Sequence, residues 1–127
     1  MKIIFLIICC CLASCLDVLT DKKFCIRHTV CVIYSNGDGY RLVESIGGNN
    51  YSDIIPSTLS ELHCAAEGNF DLLILKADPI SDKKPYSFYS VKLDSSSAEK
   101  YQVKQITQQQ YLYAVKSMYK VELSKMR

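Results

Sequence analysis

The sequence predicts an α+β fold, in which an antiparallel sheet of about five to six strands packs against two helices. Short stretches rich in β-branched and aromatic residues recur along the chain, separated by turns of Gly, Asn, Asp or Ser. Two other stretches repeat apolar residues at helical spacing, and each begins at a capping-box motif. In chain order the predicted elements are β-β-β-α-β-β-(β)-α.

The first three predicted strands form a meander. Residues 24–26 make a short strand, and residues 30–35 are rich in β-branched and aromatic side chains. Asn36-Gly37-Asp38-Gly39 predicts a hairpin turn, because Asn and Gly tolerate the positive φ that such turns need. Residues 40–46 form the returning strand, and the Gly-rich residues 47–56 are predicted to be a loop.

The first predicted helix follows this loop. Thr58-x-x-Glu61 fits a capping box, and Gly68 stands where a helix C-terminus favours positive φ. The apolar and aromatic residues at helical spacing are Leu59, Leu62, His63 and Ala66. This pattern indicates a helix with one face against the sheet.

The later strands surround the most apolar segment of the chain. Residues 70–77 are apolar on both parities, which predicts a strand covered on both faces. Asp78-Pro79 ends this strand. Residues 85–93 alternate weakly and predict a strand, residues 94–97 a turn, and residues 99–106 a further strand.

A second helix is predicted over residues 108–120. Thr107-x-x-Gln110 is its capping-box signal. The apolar residues at helical spacing are Tyr111, Leu112, Val115, Met118 and Tyr119.

The first fifteen residues have the composition of an export signal. Lys2 precedes an unbroken apolar run over residues 3–12, and Leu12-Ala13-Ser14-Cys15 follows with small residues. The run of ten residues is too short for a transmembrane helix, which needs about 20 apolar residues. The segment therefore predicts export and cleavage.

The four residues Leu12-Ala13-Ser14-Cys15 resemble the lipobox of bacterial lipoproteins. This resemblance implies that residues 1–14 are a signal peptide, that Cys15 is lipidated, and that a short tether to residue 23 precedes one domain over residues 24–127. Leu16 after the lipidated Cys implies the periplasmic face of the outer membrane. The general layout resembles small periplasmic immunity proteins, which implies a binding or inhibitor role against a delivered toxin. The alternative is a secreted viral or eukaryotic effector that binds a host protein.

The charge balance argues against nucleic acid as a partner. The whole chain has a formal charge of +2, and loss of residues 1–14 removes one Lys and no acid, leaving +1. Proteins that bind nucleic acid concentrate positive charge. We therefore expect that the partners of this protein are a membrane, to which the lipid on Cys15 attaches it, and another protein.

Three cysteines stay in the domain after export, namely Cys25, Cys31 and Cys64. An exported protein meets an oxidising compartment, so disulfides are expected. If residues 27–29 form a hairpin loop, Cys25 and Cys31 are opposed and can pair. The alternatives are a bridge from Cys64 on the predicted helix to either of them, and no bridge. Without lipidation, Cys15 becomes a fourth candidate.

No catalytic set, metal site or cofactor motif is predicted. Cys-x-x-Cys is absent, and adjacent His63 and Cys64 on a helix point about 100° apart. We therefore expect no enzymatic activity. Tyrosines are frequent, and Tyr is common in protein interfaces. The predicted protein-binding surface comprises Tyr86, Tyr89, Tyr111 and Tyr113.

Overall fold

The computed structural model describes residues 22–27, 29–35, 38–93 and 101–126. Within these ranges the chain forms nine strands, one α-helix and a short 3₁₀ turn. The strands are β1 (Lys22–Arg27), β2 (Val30–Ser35), β3 (Gly39–Gly47), β4 (Asn50–Asp53), β5 (Leu59–Ala66), β6 (Asn69–Ala77), β7 (Ser87–Lys92), β8 (Gln102–Ile106) and β9 (Tyr119–Val121). The helix is α1 (Gln108–Val115), and the 3₁₀ turn is Leu123–Lys125.

The strands form two antiparallel sheets. The four-stranded sheet has the order β1-β2-β3-β4, so it is a simple meander. The five-stranded sheet has the order β8-β7-β6-β5-β9. Helix α1 follows β8 at one edge and precedes β9 at the other, so the chain must cross the sheet between them. The helix accordingly contacts the central strands β6 and β7.

The interior is an apolar layer shared by the two sheets. Because side chains alternate along a strand, every second residue of the central strands points into this layer. Removal of these apolar side chains from water is the main force that holds the sheets together. The buried strand residues are Val30, Val32, Leu42, Leu59, Leu62, Cys64, Leu73, Leu75, Ala77 and Val91.

Each sheet also buries apolar residues on its other face. On the five-stranded sheet, Ile74 and Phe88 pack with Tyr111 of helix α1. On the four-stranded sheet, Cys31, Ile33 and Val43 form a separate buried cluster. The predicted cover on both faces is found for residues 73–75, since Leu73 and Leu75 face one way and Ile74 the other, whereas Leu72 is exposed.

The predicted α+β class is wrong, because the first predicted helix is strand β5. This strand pairs Leu59 with Ala77 and Leu62 with Leu75, so Ser60 is an extra residue in a β-bulge. The bulge puts Leu59 and Leu62 on the same face although they are three residues apart. A spacing of three is also what a helix produces, and the sequence pattern was therefore ambiguous.

The two motifs that predict the ends of that helix, Thr58-x-x-Glu61 and Gly68, lie instead at the two ends of strand β5 in the β5–β6 hairpin. Thr58 donates its hydroxyl to Asp78 Oδ2 at 2.6 Å, and Glu61 contacts helix α1 and β9 rather than the Thr58 backbone. Gly68 has φ +80° in the two-residue turn that joins β5 to β6. Hairpin turns and helix C-termini both favour a glycine with positive φ, so Gly68 fits either structure.

Two further boundaries differ from the prediction. The predicted loop over residues 47–56 contains β4, a short polar edge strand that pairs with β3. Strand β4 has few apolar residues, so the sequence pattern does not indicate a strand there. The last helix ends at Val115 rather than Lys120, because Tyr119–Val121 pairs with β5 as strand β9.

The other strand predictions and the second capping box are confirmed. Strands β1, β2, β3, β6, β7 and β8 lie where the sequence placed them. Thr107 accepts the Gln110 backbone N–H at 3.1 Å, and the Gln110 side chain accepts the Thr107 N–H at 2.9 Å. The predicted turn over residues 94–97 lies outside the described residues.

Cys25 and Cys31 are directly opposed in the β1–β2 hairpin, and their Cα atoms are 3.9 Å apart. Their sulfur atoms are at disulfide distance, so the structure supports the hairpin pairing. Cys64 is free and fully buried on β5, where its thiol donates to the Ala66 carbonyl at 3.1 Å. Burial raises the pKa of the Cys64 thiol, which keeps it protonated.

Oxidised protein digested with trypsin should release peptides 24–27 and 28–41 as one linked species that separates on reduction. The double variant Cys25→Ala/Cys31→Ala should lose about 2 kcal/mol of unfolding free energy, near the low end for disulfides because the closed loop is short. As a control, reductant should destabilise the wild type and leave the double variant unchanged. Recovery of both peptides with free thiols from oxidised protein would contradict the pairing.

Candidate functional site

The candidate site lies on the face of the five-stranded sheet that helix α1 covers. The bulge at Ser60 sends Leu62 and Cys64 into the layer between the sheets, so Glu61 and His63 point to the opposite face. Tyr111 lies in the first turn of α1 and packs on this face. Its ring centroid is 4.7 Å from that of Phe88 and 5.7 Å from that of His63.

The polar groups on this face form one network centred on the Tyr111 hydroxyl. Tyr111 donates a short hydrogen bond to Glu61 Oε2. The hydroxyl oxygen also lies 3.1 Å from His63 Nε2, and because its proton is already donated, it accepts from this nitrogen. Lys120 on β9 places Nζ 3.4 Å from Glu61 Oε1. The network therefore joins β5, β9 and helix α1.

The environment of Glu61 and Tyr111 opposes acid–base chemistry at neutral pH. The hydrogen bond from Tyr111 and the charge of Lys120 lower the pKa of Glu61 in spite of its desolvation. Burial, followed by the Glu61 carboxylate, strongly raises the pKa of Tyr111. Glu61 thus remains a carboxylate and Tyr111 remains a phenol, which suits a structural contact better than proton transfer.

His63 is buried, with only 7% of its surface exposed, and is neutral in this network. Desolvation lowers its pKa, although Glu61 at 3.6 Å acts in the opposite direction. Its Nδ1 atom has no hydrogen-bond partner within the described part of the chain. A proton at Nδ1 would therefore be buried without an acceptor.

A small pocket of about 200 Å³ opens beside the network. Its floor contains the buried rings of Phe88 and Tyr111. The exposed side chains of Tyr86 and Leu112 lie at its rim, and Lys76 places Nζ 4.3 Å from the centre of the Tyr86 ring. Pro85 and Gln108 complete the lining.

The four tyrosines of the predicted binding surface occupy different environments. Tyr86 and Tyr113 are exposed, at 45% and 80%. Tyr111 is only 4% exposed, and Tyr89 packs against the layer between the sheets. The pocket brings together Tyr86 and Tyr111 but neither of the others. Cys15 lies outside the described residues.

Sequence reasoning missed the roles of Glu61, His63 and Lys76. The sequence pattern predicts a helix over residues 58–66, which places Glu61 in its cap and His63 on its apolar face. In a strand, Glu61 and His63 share one face, so the alternation could have placed them together once the strand was recognised.

A second pocket of about 320 Å³ lies beside β3 and β4. Arg41 donates from Nε and Nη2 to Asp53 Oδ1, at 2.9 and 2.8 Å, so these two charges are paired. Within the described ranges no three His, Cys, Asp or Glu residues are grouped as metal ligands. No helix formed by those residues has the length and hydropathy to cross a membrane.

Comparison of the chain with protein-family models, with curated proteins and with solved structures finds no match.

Tyr111→Phe should lower the unfolding free energy by about 1–3 kcal/mol at neutral pH, because Glu61 and His63 lose their shared partner while partly or fully buried. Urea denaturation measures this loss. Tyr113→Phe is the matched control on the same helix, since its ring is exposed, and it should change stability by less than about 0.5 kcal/mol. Equal losses in the two variants would contradict the network.

The pH dependence of stability should contain a component from His63. Its pKa is lowered in the folded state, so the unfolded chain takes up this proton first as the pH falls below the ordinary value of 6.5. The contribution of His63 to the unfolding free energy should therefore be fully present above pH 6.5 and decline as the pH falls below it. Glu61 adds a separate loss only below its ordinary value of 4.5, since its folded pKa is also lowered.

Denaturation curves between pH 7 and pH 4.5 test this assignment. His63→Gln should reduce the slope of unfolding free energy against pH by up to about one proton in this range. His28→Gln, which removes the other histidine of the chain, is the control and should keep the component. An unchanged slope in His63→Gln would show that other groups cause the pH dependence.

Proposed function

We propose that this protein is an exported binding module, anchored in the cell envelope by a lipid on Cys15, that recognises another protein. On this proposal it acts as an inhibitor, like the immunity-type lipoproteins that its layout resembles. The residue after Cys15 is Leu16, which by the same resemblance favours the periplasmic face of the outer membrane. Multiple acylation of Cys15 would make the attachment stable, because one chain alone binds a membrane only marginally.

The observation that carries the export part is the Cys25–Cys31 pair at disulfide distance. Such pairs persist in oxidising compartments and are rare in the cytosol. The pair supports export independently of the signal-like residues 1–14. Strand β1 begins at Lys22, seven residues after Cys15, so an anchored domain would lie within roughly 25 Å of its lipid.

The exposed apolar surface around helix α1 supports the binding part. Tyr86, Leu112 and Tyr113 are 45%, 51% and 80% exposed, and two of them border the pocket. Aromatic side chains around a pocket are typical of the residues that dominate protein interfaces. The polar network behind them links Glu61, Tyr111, His63 and Lys120 across three elements, so it supports the shape of this surface.

A secreted effector that binds a host protein is the second candidate. Asn50-Tyr51-Ser52 is an N-glycosylation sequon, and Asn50 is exposed at the start of β4. An exposed sequon favours this candidate if the chain passes through a eukaryotic secretory pathway. The Cys25–Cys31 pair is compatible with both candidates, since both require export.

The intact mass of the wild type and of Cys15→Ala, both expressed in a Gram-negative host, tests the anchor. The wild type should yield a mature species that starts at Cys15 and carries diacylglycerol plus an acyl chain. The variant should lack the lipid and leave the membrane fraction. Cys64→Ala is the control and should keep the lipid, because this thiol is fully buried in the domain.

An unmodified mature chain released equally from wild type and Cys15→Ala would overturn the lipoprotein proposal. That result would favour the secreted effector, whose mark would be a glycan at Asn50 after expression in a eukaryotic host. Asn49→Gln would be the control for Asn50→Gln, because residue 49 is not part of a sequon.

A further inference from the structure

The geometry points to the pocket beside helix α1 as the binding site for an acidic segment of a partner protein, which inserts one large apolar side chain and pairs a neighbouring carboxylate with Lys76. This inference rests on the proposed binding function and names the chemistry of the partner. The pocket is the one built over Phe88 and Tyr111 and bordered by Tyr86 and Leu112.

The size of the pocket favours a single side chain. Sites for small molecules and cofactors usually enclose about 300–1,000 Å³, whereas this pocket measures about 200 Å³. Its floor consists of two buried aromatic rings whose centroids are 4.7 Å apart. An aromatic or large aliphatic side chain would cover these rings and lose its own contact with water.

The floor is also held rigidly before any ligand binds. Tyr111 is fixed by its hydrogen bond to Glu61 and its contact with His63. Phe88 lies on β7, an inner strand of the five-stranded sheet that pairs with β8 and β6. A preformed pocket avoids part of the entropic cost of ordering side chains on binding.

Charge complementarity selects the partner. Lys76 is the single charged residue among the described residues that line the pocket. It is half-buried, and its ammonium group is seated over the Tyr86 ring. Glu61 is its cross-strand partner, but no described carboxylate lies within ion-pair distance of the ammonium group. A partly desolvated cation gains from a nearby carboxylate, so an apolar residue beside Asp or Glu fits both the pocket and its rim.

Three peptides separate the apolar and the charged contributions, namely Ac-Ala-Phe-Asp-Ala-NH₂, Ac-Ala-Phe-Asn-Ala-NH₂ and Ac-Ala-Ala-Asp-Ala-NH₂. Each is titrated into the isotopically labelled full chain with the Cys25–Cys31 bridge oxidised, and NMR shift changes are mapped. The Phe-Asp peptide should bind about fivefold more tightly than the Phe-Asn peptide. It should bind at least about tenfold more tightly than the Ala-Asp peptide, with shifts centred on Tyr86 and Leu112.

Lys76→Met keeps most of the side-chain stem and removes the charge, so it should abolish the preference for Asp over Asn. Lys92→Met on neighbouring strand β7 is the matched control and should retain it, because Lys92 does not line the pocket. Leu112→Glu is a second variant at a half-exposed position and should weaken binding of the Phe-Asp peptide, whereas Gln109→Glu on the same helix should not, because Gln109 is exposed and does not line the pocket.

Equal affinity for the Phe-Asp and Phe-Asn peptides, shifts that map away from the pocket, or no binding of any peptide would overturn the inference. The titration does not depend on Cys15. If intact mass shows no lipid on Cys15 but the chain binds the Phe-Asp peptide, the anchor proposal is overturned and the pocket inference stands. If Cys15 is lipidated but the chain binds no peptide, the anchor proposal stands and the pocket inference is overturned.

Discussion

The apolar layer between the two sheets is the constraint on which the rest of the structure depends. Leu62, Leu73 and Leu75 lie in this layer and are fully buried, so the alternation of side chains fixes what their neighbours can do. Glu61 and His63 must point to the opposite face, where helix α1 meets them. Strands β8 and β9 lie at opposite edges of one sheet, so the chain between them must cross that sheet. Because the apolar layer occupies one face of the sheet, helix α1 crosses on the other face.

The bulge at Ser60 sets the relation between this layer and the candidate site. In a regular strand without the bulge, Leu59 and Leu62 are three residues apart and would have opposite parity, so one of them would face helix α1. With it, both lie in the layer, and the network on the other face contains the polar side chains of Glu61 and His63. Tyr111 can satisfy both of them with one hydroxyl, since it donates to the first and accepts from the second.

Much of the strand pattern could be predicted from the sequence, because regular alternation and turn residues are local signals. The hairpin pairing of Cys25 with Cys31 was one of the alternatives that the sequence left open, and the register that opposes them includes an irregularity between Cys25 and Arg27. Strand β5 could not be distinguished from a helix, since its bulge imitates helical spacing and Gly68 suits both kinds of chain reversal. The pocket was only partly foreseen. The sequence predicts Tyr86 and Tyr111 as binding-surface residues, but the position of Lys76 depends on the pairing of β6 with β7, which is not a local property of the sequence.

The polar network and the pocket share one residue, Tyr111. The hydroxyl of Tyr111 belongs to the network, while its ring forms part of the pocket floor. Glu61 is neutralised inside this arrangement by the Tyr111 hydroxyl and by Lys120. Lys76 on the adjacent strand has no such ion pair among the described residues, although its charge also helps to lower the pKa of Glu61. Glu61 is therefore ion-paired with Lys120, whereas Lys76 lies opposite Glu61 in the β5–β6 register without an ion pair among the described residues. This division is the physical basis of the proposal that a carboxylate of a partner pairs with Lys76 at the pocket rim.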